Sequence, residues 1–229
     1  MKKLITLFAI VAVMGCEKKG PVVEQAPIVP VKQAEVKPAE VKKVPQKIYE
    51  GPFGLAMGIS TDELTRDIGF VKDADTSYFF TGKAPKPIPG VENYIAIALP
   101  NLGLCKIVAS ATYETVNDTG AQLKQGADKF KEMMETKYGA PSKKVDFANQ
   151  DVYRRNPQFW MMASKEDSAS YGYLWLEKKD NLKLPNNIVS IGIFAQATSM
   201  KAGFVKISYE FSNFTECQKE MKKAKAANL

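Results

Sequence analysis

The stretch around residues 120–138 sets the strongest limit on what this chain can fold into. Leu123, Ala127, Phe130, Met134 and Tyr138 fall at helical spacing on one side, and Lys124, Asp128, Lys131, Glu132 and Glu135 share the wetter side. Asn117-Asp118-Thr119 supplies caps, Gly139 suits the left-handed position after a helix, and Pro141 prevents continuation. The spacing predicts an amphipathic helix over about 120–138, which needs an apolar surface to cover. Strand-like segments lie on both sides of it. Before it come 77–81, 91–99 and 104–115; after it come 143–148, 151–155 with 159–163, 171–178, 187–196 and 203–211. Turn signals separate the later ones at Asn149-Gln150, 165–168, 180–186 and 199–202. The class implied is α+β.

Smaller elements frame this pattern. Residues 48–57 read as a strand or extended lead-in, with Gly51-Pro52 and Gly54 limiting its regularity. Ser60-Thr61-Asp62-Glu63 has the form of a capping box, in which the serine hydroxyl accepts from the Glu63 amide and the Glu63 carboxylate reaches back to the Ser60 amide. A short helix over about 61–68 follows, with Leu64 and Ile68 inward, and stops at Gly69. Cys105, Ile107, Ala109, Ala111 and Tyr113 alternate onto one face of their strand, expected to be the core face. A final helix opens at Asn213 or Thr215, with Phe214, Cys217 and Met221 on one stripe.

The N-terminus is of a different kind. Lys2 and Lys3 precede an apolar run over 4–14 that ends in Val13-Met14-Gly15-Cys16. A transmembrane helix needs about 20 residues, so this run is too short to span, but it fits a secretory h-region. The stretch resembles a bacterial lipoprotein signal peptide with its lipobox; Met14 departs from the usual Ser, Ala or Thr. The resemblance implies that residues 1–15 are removed and that Cys16 becomes a lipidated first residue, anchored by more than one acyl chain. Glu17 stands where an Asp commonly retains such proteins at the inner membrane, which implies an outer-membrane anchor with the domain in the periplasm, the inner membrane and the cell surface being the alternatives.

From Cys16 to about residue 47 the chain carries Pro21, Pro27, Pro30, Pro38 and Pro45 in a Val/Lys/Ala/Glu texture with little to bury. This predicts a disordered, extended tether, with a maximum reach on the order of 90 Å at about 3.1 Å per residue. The globular α+β domain is then 48–229. Its charge is modest. Of the formal +7, Lys2 and Lys3 carry two and residues 17–47 carry three, which leaves +2 for the domain. That is too little for a nucleic-acid footprint.

Phe53-Gly54-Leu55-Ala56-Met57-Gly58-Ile59-Ser60-Thr61-Asp62-Glu63-Leu64 resembles the Gly-x-x-x-Gly-Met-Ser-x-x-Glu opening of small envelope lipoprotein domains, and Tyr138-Gly139-Ala140-Pro141 followed by a Trp-bearing strand recurs in the same sort of protein. Such domains are similar to the small lipoprotein of the outer-membrane barrel-assembly complex and to β-lactamase-inhibitor-like folds. The resemblance implies an antiparallel sheet packed by helices. The second half has no clear copy of the Gly-Met-Ser motif, so the sequence does not support a tandem repeat.

Catalysis finds little support. The chain has no histidine, which removes Ser-His-Asp and Cys-His chemistry, His-containing zinc sites and a histidine base. It also lacks Ser-x-x-Lys, Gly-x-Ser-x-Gly and a Walker loop. Asp73-Ala74-Asp75-Thr76-Ser77 begins like a calcium loop, but Tyr78 replaces the required Gly and Ala84 the closing Glu, so it reads as a polar turn. Asp146 and Asp151 are carboxylates that nothing in the sequence positions. No catalytic residue, metal ligand or cofactor is assigned.

Two features remain. With Cys16 lipidated, Cys105 and Cys217 are the only cysteines left, and they are read either as a disulfide closing a loop of about 110 residues or as two separately buried thiols. Tyr171, Tyr173 and Trp175 alternate onto one strand face, which is either a binding platform or ordinary sheet core. The Arg154-Arg155 pair reads as a solvated hairpin tip. The expected function is a lipid-anchored, non-catalytic protein that binds an envelope protein partner or supports envelope assembly. The alternative is a periplasmic receptor for a small ligand, or an enzyme-inhibitor module. A continuous apolar patch on the outer sheet face favours the first and an enclosed aromatic pocket the second.

Overall fold

A computed structural model describes residues 47–115, 117–177 and 182–227. All of them belong to one compact unit, Val44–Leu229. The expected signal peptide, Cys16 and the expected tether up to residue 46 lie outside the described residues.

Eight strands form one antiparallel sheet: β1 Val71–Lys72, β2 Tyr78–Thr81, β3 Asn93–Leu99, β4 Gly103–Glu114, β5 Lys143–Ala148, β6 Ala169–Leu176, β7 Ile188–Ala197 and β8 Ala202–Phe211. Their order is β1-β2-β3-β4-β8-β7-β6-β5, and every neighbouring pair is antiparallel. Five α-helices accompany it: α1 Thr61–Arg66, α2 Ala121–Tyr138, α3 Asp151–Arg155, α4 Trp160–Lys165 and α5 Phe214–Ala227. The α+β class holds. Two four-strand sets, each led by a helix (α1, then α2), meet where β4 pairs with β8. The fold is therefore two-halved in topology although no second Gly-Met-Ser motif marks it. The reason is local: α1 is capped by Ser60, whereas α2 starts at Gly120, whose φ of 67° no side-chain cap accompanies. Asn117 accepts from the Thr119 amide and hydroxyl instead, closing a turn before the helix.

The core lies under α2, which crosses β6, β7 and β8, and under α4, which rests on β6 and β7. All five residues of the expected stripe on α2 are buried, and so is Gly126. A Cβ on Gly126 would stand 2.6 Å from the Tyr113 ring, so a helix interior carries a glycine there because the strand beneath comes close.

Three expectations about secondary structure are corrected. Residues 151–155 and 159–163 are helical, not strands. Asp151 pairs with Arg154 one turn along, Pro157 opens a 3-10 turn at Pro157–Phe159, and the chain runs from it into α4. An apolar run as short as Phe159-Trp160-Met161-Met162-Ala163 fits either period, and here Met161 and Ala163 go into the core. The lead-in at 48–57 holds a 3-10 turn, Pro52–Gly54, in place of a strand. The capping box is half closed: Ser60 Oγ accepts from the Glu63 amide at 3.2 Å, but the Glu63 carboxylate receives the Tyr49 hydroxyl and Lys47 Nζ, the latter at 2.9 Å.

A fourth correction concerns Cys105. The pairing of β3 with β4 slips between Ile97↔Lys106 and Ala98↔Leu104, which leaves Cys105 as an extra residue. Leu104 and Ile107 both enter the main core, while Cys105 turns to the opposite face and joins Ile97, Phe214 and Cys217 in a separate apolar cluster. Period-2 reading of a sequence has no means of seeing such an irregularity.

Candidate functional site

The two faces of the sheet are treated differently. One carries α2 and α4. The other is covered at one end by α5 and is left open over the middle strands by the described residues. Alternation decides what it shows: in β8, Val205, Ile207 and Tyr209 are buried, while Phe204, Lys206, Ser208 and Glu210 stand half-buried on the open side. The register places Ser208 beside Val108 of β4 and Gly192 of β7, and Lys206 beside Ser110 and Phe194.

These strands frame a shallow groove of about 350 Å³, lined by Lys106, Val108, Leu174, Leu176, Ser190, Gly192, Phe194, Lys206, Ser208 and Glu210. Glycines make its depth. A Cβ on Gly172 would meet Ile193 O at 2.0 Å and Phe194 Cδ1 at 2.7 Å, and one on Gly192 would meet Ser208 Oγ at 3.0 Å and the same ring at 3.1 Å. The Phe194 ring thus lies over two glycines on neighbouring strands and shields their backbone.

Charge in the groove is arranged with one group left over. Lys106 Nζ pairs with Glu210 Oε1 at 2.7 Å, and the Ser190 hydroxyl donates to Glu210 Oε2 at 2.9 Å. Lys106 Nζ also sits 4.7 Å from the centre of the Phe214 ring. Lys206 has no hydrogen bond or ion pair among the described residues. Partial burial pushes its pKa down, Lys106 adds to that, and Asp167 opposes it from a distance. An apolar floor with one unpaired ammonium suits a carboxylate set in an apolar surface.

At the β1–β2 edge the same face shows a second apolar group. Tyr78 and Phe80, 41% and 40% exposed, meet edge to face at 6.4 Å, and Val71, 71% exposed, is paired with Phe80. Phe147 is exposed at the opposite edge, on β5. Exposed aromatics on an uncovered sheet face are the raw material of a protein interface.

The residues singled out from sequence fall elsewhere. Tyr171, Tyr173 and Trp175 are 6%, 7% and 0% exposed on the covered face, so the platform reading is replaced by the core reading. Their polar atoms are satisfied inward: both tyrosine hydroxyls donate to Asp128 Oδ1 on α2 at 2.7 Å, and Trp175 Nε1 donates to the Gly139 carbonyl at 2.8 Å. Burial, with Tyr173 and Asp128 beside it, holds the Tyr171 hydroxyl far above its ordinary pKa. Cys105 and Cys217 are disulfide-bonded, with Cα atoms 6.5 Å apart. Asp73 is taken up by its own turn, accepting from Thr76 Oγ1 at 2.8 Å and the Asp75 amide at 3.1 Å, and these bonds hold its pKa below the usual range. Arg154 and Arg155 lie exposed on α3, not at a hairpin tip. Asp146 lies on the edge strand β5 and Asp151 on α3, where it pairs with Arg154.

Sequence reading missed Lys206, Phe194 and the glycine pair. Their signal was present: β8 reads Phe204-Val205-Lys206-Ile207-Ser208-Tyr209-Glu210, an alternation whose outer set mixes an aromatic with charge.

No protein-family model matches the chain, and comparison with curated proteins and with solved structures returns no match. Among the described residues no group of three or more His, Cys, Asp or Glu is placed to hold a metal, and no helix is long and apolar enough to cross a membrane.

Proposed function

We propose that this chain is a lipid-anchored, non-catalytic binding protein of the bacterial envelope. Cys16 is its membrane attachment, the segment to about residue 47 is its spacer, and the open sheet face receives a protein partner. The partner surface is apolar around at least one carboxylate, which meets Lys206. The observation that carries this reading is the half-buried Lys206 ammonium, without a side-chain partner among the described residues, in a groove lined by Phe194 and Gly192. A half-buried charge without a counter-ion is a cost to the free protein, and such costs gather at binding surfaces. The N-terminal pattern supplies the anchor and the outer-membrane location, and resemblance to envelope lipoprotein domains supplies the setting.

The anchor is tested by growing cells with a clickable palmitate analogue. Label on the full-length chain that is lost in Cys16→Ser supports it, and label retained in that variant overturns it. The partner is tested by in-cell chemical crosslinking of the anchored protein. A reproducible adduct with one envelope protein, weakened by Lys206→Glu, supports the surface. An adduct indifferent to that substitution contradicts it.

A further inference from the structure

A second concavity lies on the covered side, remote in the fold from the open sheet face. It holds about 250 Å³ and is built where the last turns of α2 meet the Pro52–Gly54 turn and β8. Phe53, Ile88, Met133, Met134 and Tyr209 give it apolar walls, and methionines adapt to ligands of irregular shape. Among the described residues, Lys86 and Lys137 are its only charged lining groups. Tyr138, also in the lining, is 6% exposed, with its hydroxyl buried beside Tyr209 and out of reach of the opening.

The wall is also strained. Phe53 adopts φ 57° and ψ 19°, a left-handed conformation that is unfavourable for a non-glycine residue. It is held there by the Lys86 amide, which donates to its carbonyl at 2.8 Å, and by edge-to-face contacts with Tyr94 at 5.1 Å and Tyr209 at 5.4 Å. The turn therefore fixes the Phe53 ring at the pocket and ties Lys86 to its rim.

We infer that this pocket binds a small amphiphilic carboxylate, its apolar body between Phe53 and Met134 and its head toward Lys86 and Lys137. The volume lies just below the range of about 300–1,000 Å³ usual for ligand sites, which restricts the occupant to a small molecule. This inference does not depend on the partner proposed for the sheet face.

The test uses octanoate as probe, with octanol and acetate as controls, read by the methyl resonances of Met133 and Met134 and by calorimetry on the intact domain. Octanoate is expected to shift the Met134 methyl saturably, octanol to bind about tenfold more weakly, and acetate not to bind. Lys86→Gln with Lys137→Gln should abolish the preference for octanoate over octanol. Equal affinities for octanoate and octanol, unmoved methionine resonances, or a preference for octanoate that survives in the double lysine variant would overturn the assignment.

Discussion

Cys105 and Cys217 join strand β4 to helix α5 on the face of the sheet opposite the main core, because the slip in β4 turns Cys105 away from Ile107. The bond fastens the one helix that occupies the otherwise open face. With Phe214 and Ile97 it forms a small cluster of its own, so α5 depends on few apolar contacts besides the bridge.

The first expectation follows from that isolation. A bridge between residues 112 apart constrains the unfolded chain strongly, by up to about 4–5 kcal/mol in the chain-entropy account. Reduction, or Cys105→Ala with Cys217→Ala, should lower the urea midpoint by a corresponding amount. Hydrogen exchange should rise first in α5. Intact-mass measurement of the unreduced protein should find no alkylatable thiol from this pair. Two reactive thiols after denaturation would remove the bridge.

Lys206 should behave as a group kept for binding at the expense of stability. Its folded-state pKa is lowered, so the unfolded chain holds this proton more tightly. Stability therefore carries the penalty at every pH below the folded value and regains it as pH rises toward the ordinary value of 10.5. Lys206→Met should stabilise the domain at pH 7 by about 0.5 kcal/mol, discounted for partial solvation, and the gain should vanish above about pH 10.5. The same variant should lose crosslinking to its partner. Thermal denaturation across pH measures the first effect.

Glu63 carries the opposite sign. Its carboxylate accepts from Tyr49 and pairs with Lys47, and its pKa is held below the usual 4.5. The stabilisation is present above the unfolded value and is lost as pH falls through the folded one. Glu63→Gln should cost no more than about 1 kcal/mol at pH 7, and the difference from the parent should disappear in strong acid. Parallel denaturation curves at pH 7 and pH 2.5 would show it.

Much of this fold is legible in residue order where a pattern is long. The α2 stripe, the alternation in β4 and β8, and the glycine stops mark elements whose period outlasts local accidents. Short elements escape. Residues 151–165 form two short helices and a 3-10 turn, and their apolar run is too brief to reveal a period. The slip at Cys105 is invisible because it depends on the partner strand. The site was harder still. Tyr171, Tyr173 and Trp175 drew attention by type, but a strand has two faces, and only the position of α2 decides which face is covered. Lys206 became informative once its neighbours across two strands were known.

On the proposed reading the open sheet face, and not the helical side, meets the partner. Site-specific photocrosslinking in cells tests it most directly, with p-benzoylphenylalanine placed in turn at Phe80 and Phe194 on the open face and at Lys129 on α2. The account predicts one adduct of the same mass from Phe80 and Phe194, diminished by Lys206→Glu, and none from Lys129. An adduct from Lys129 alone, or equal adducts from all three positions, would contradict it.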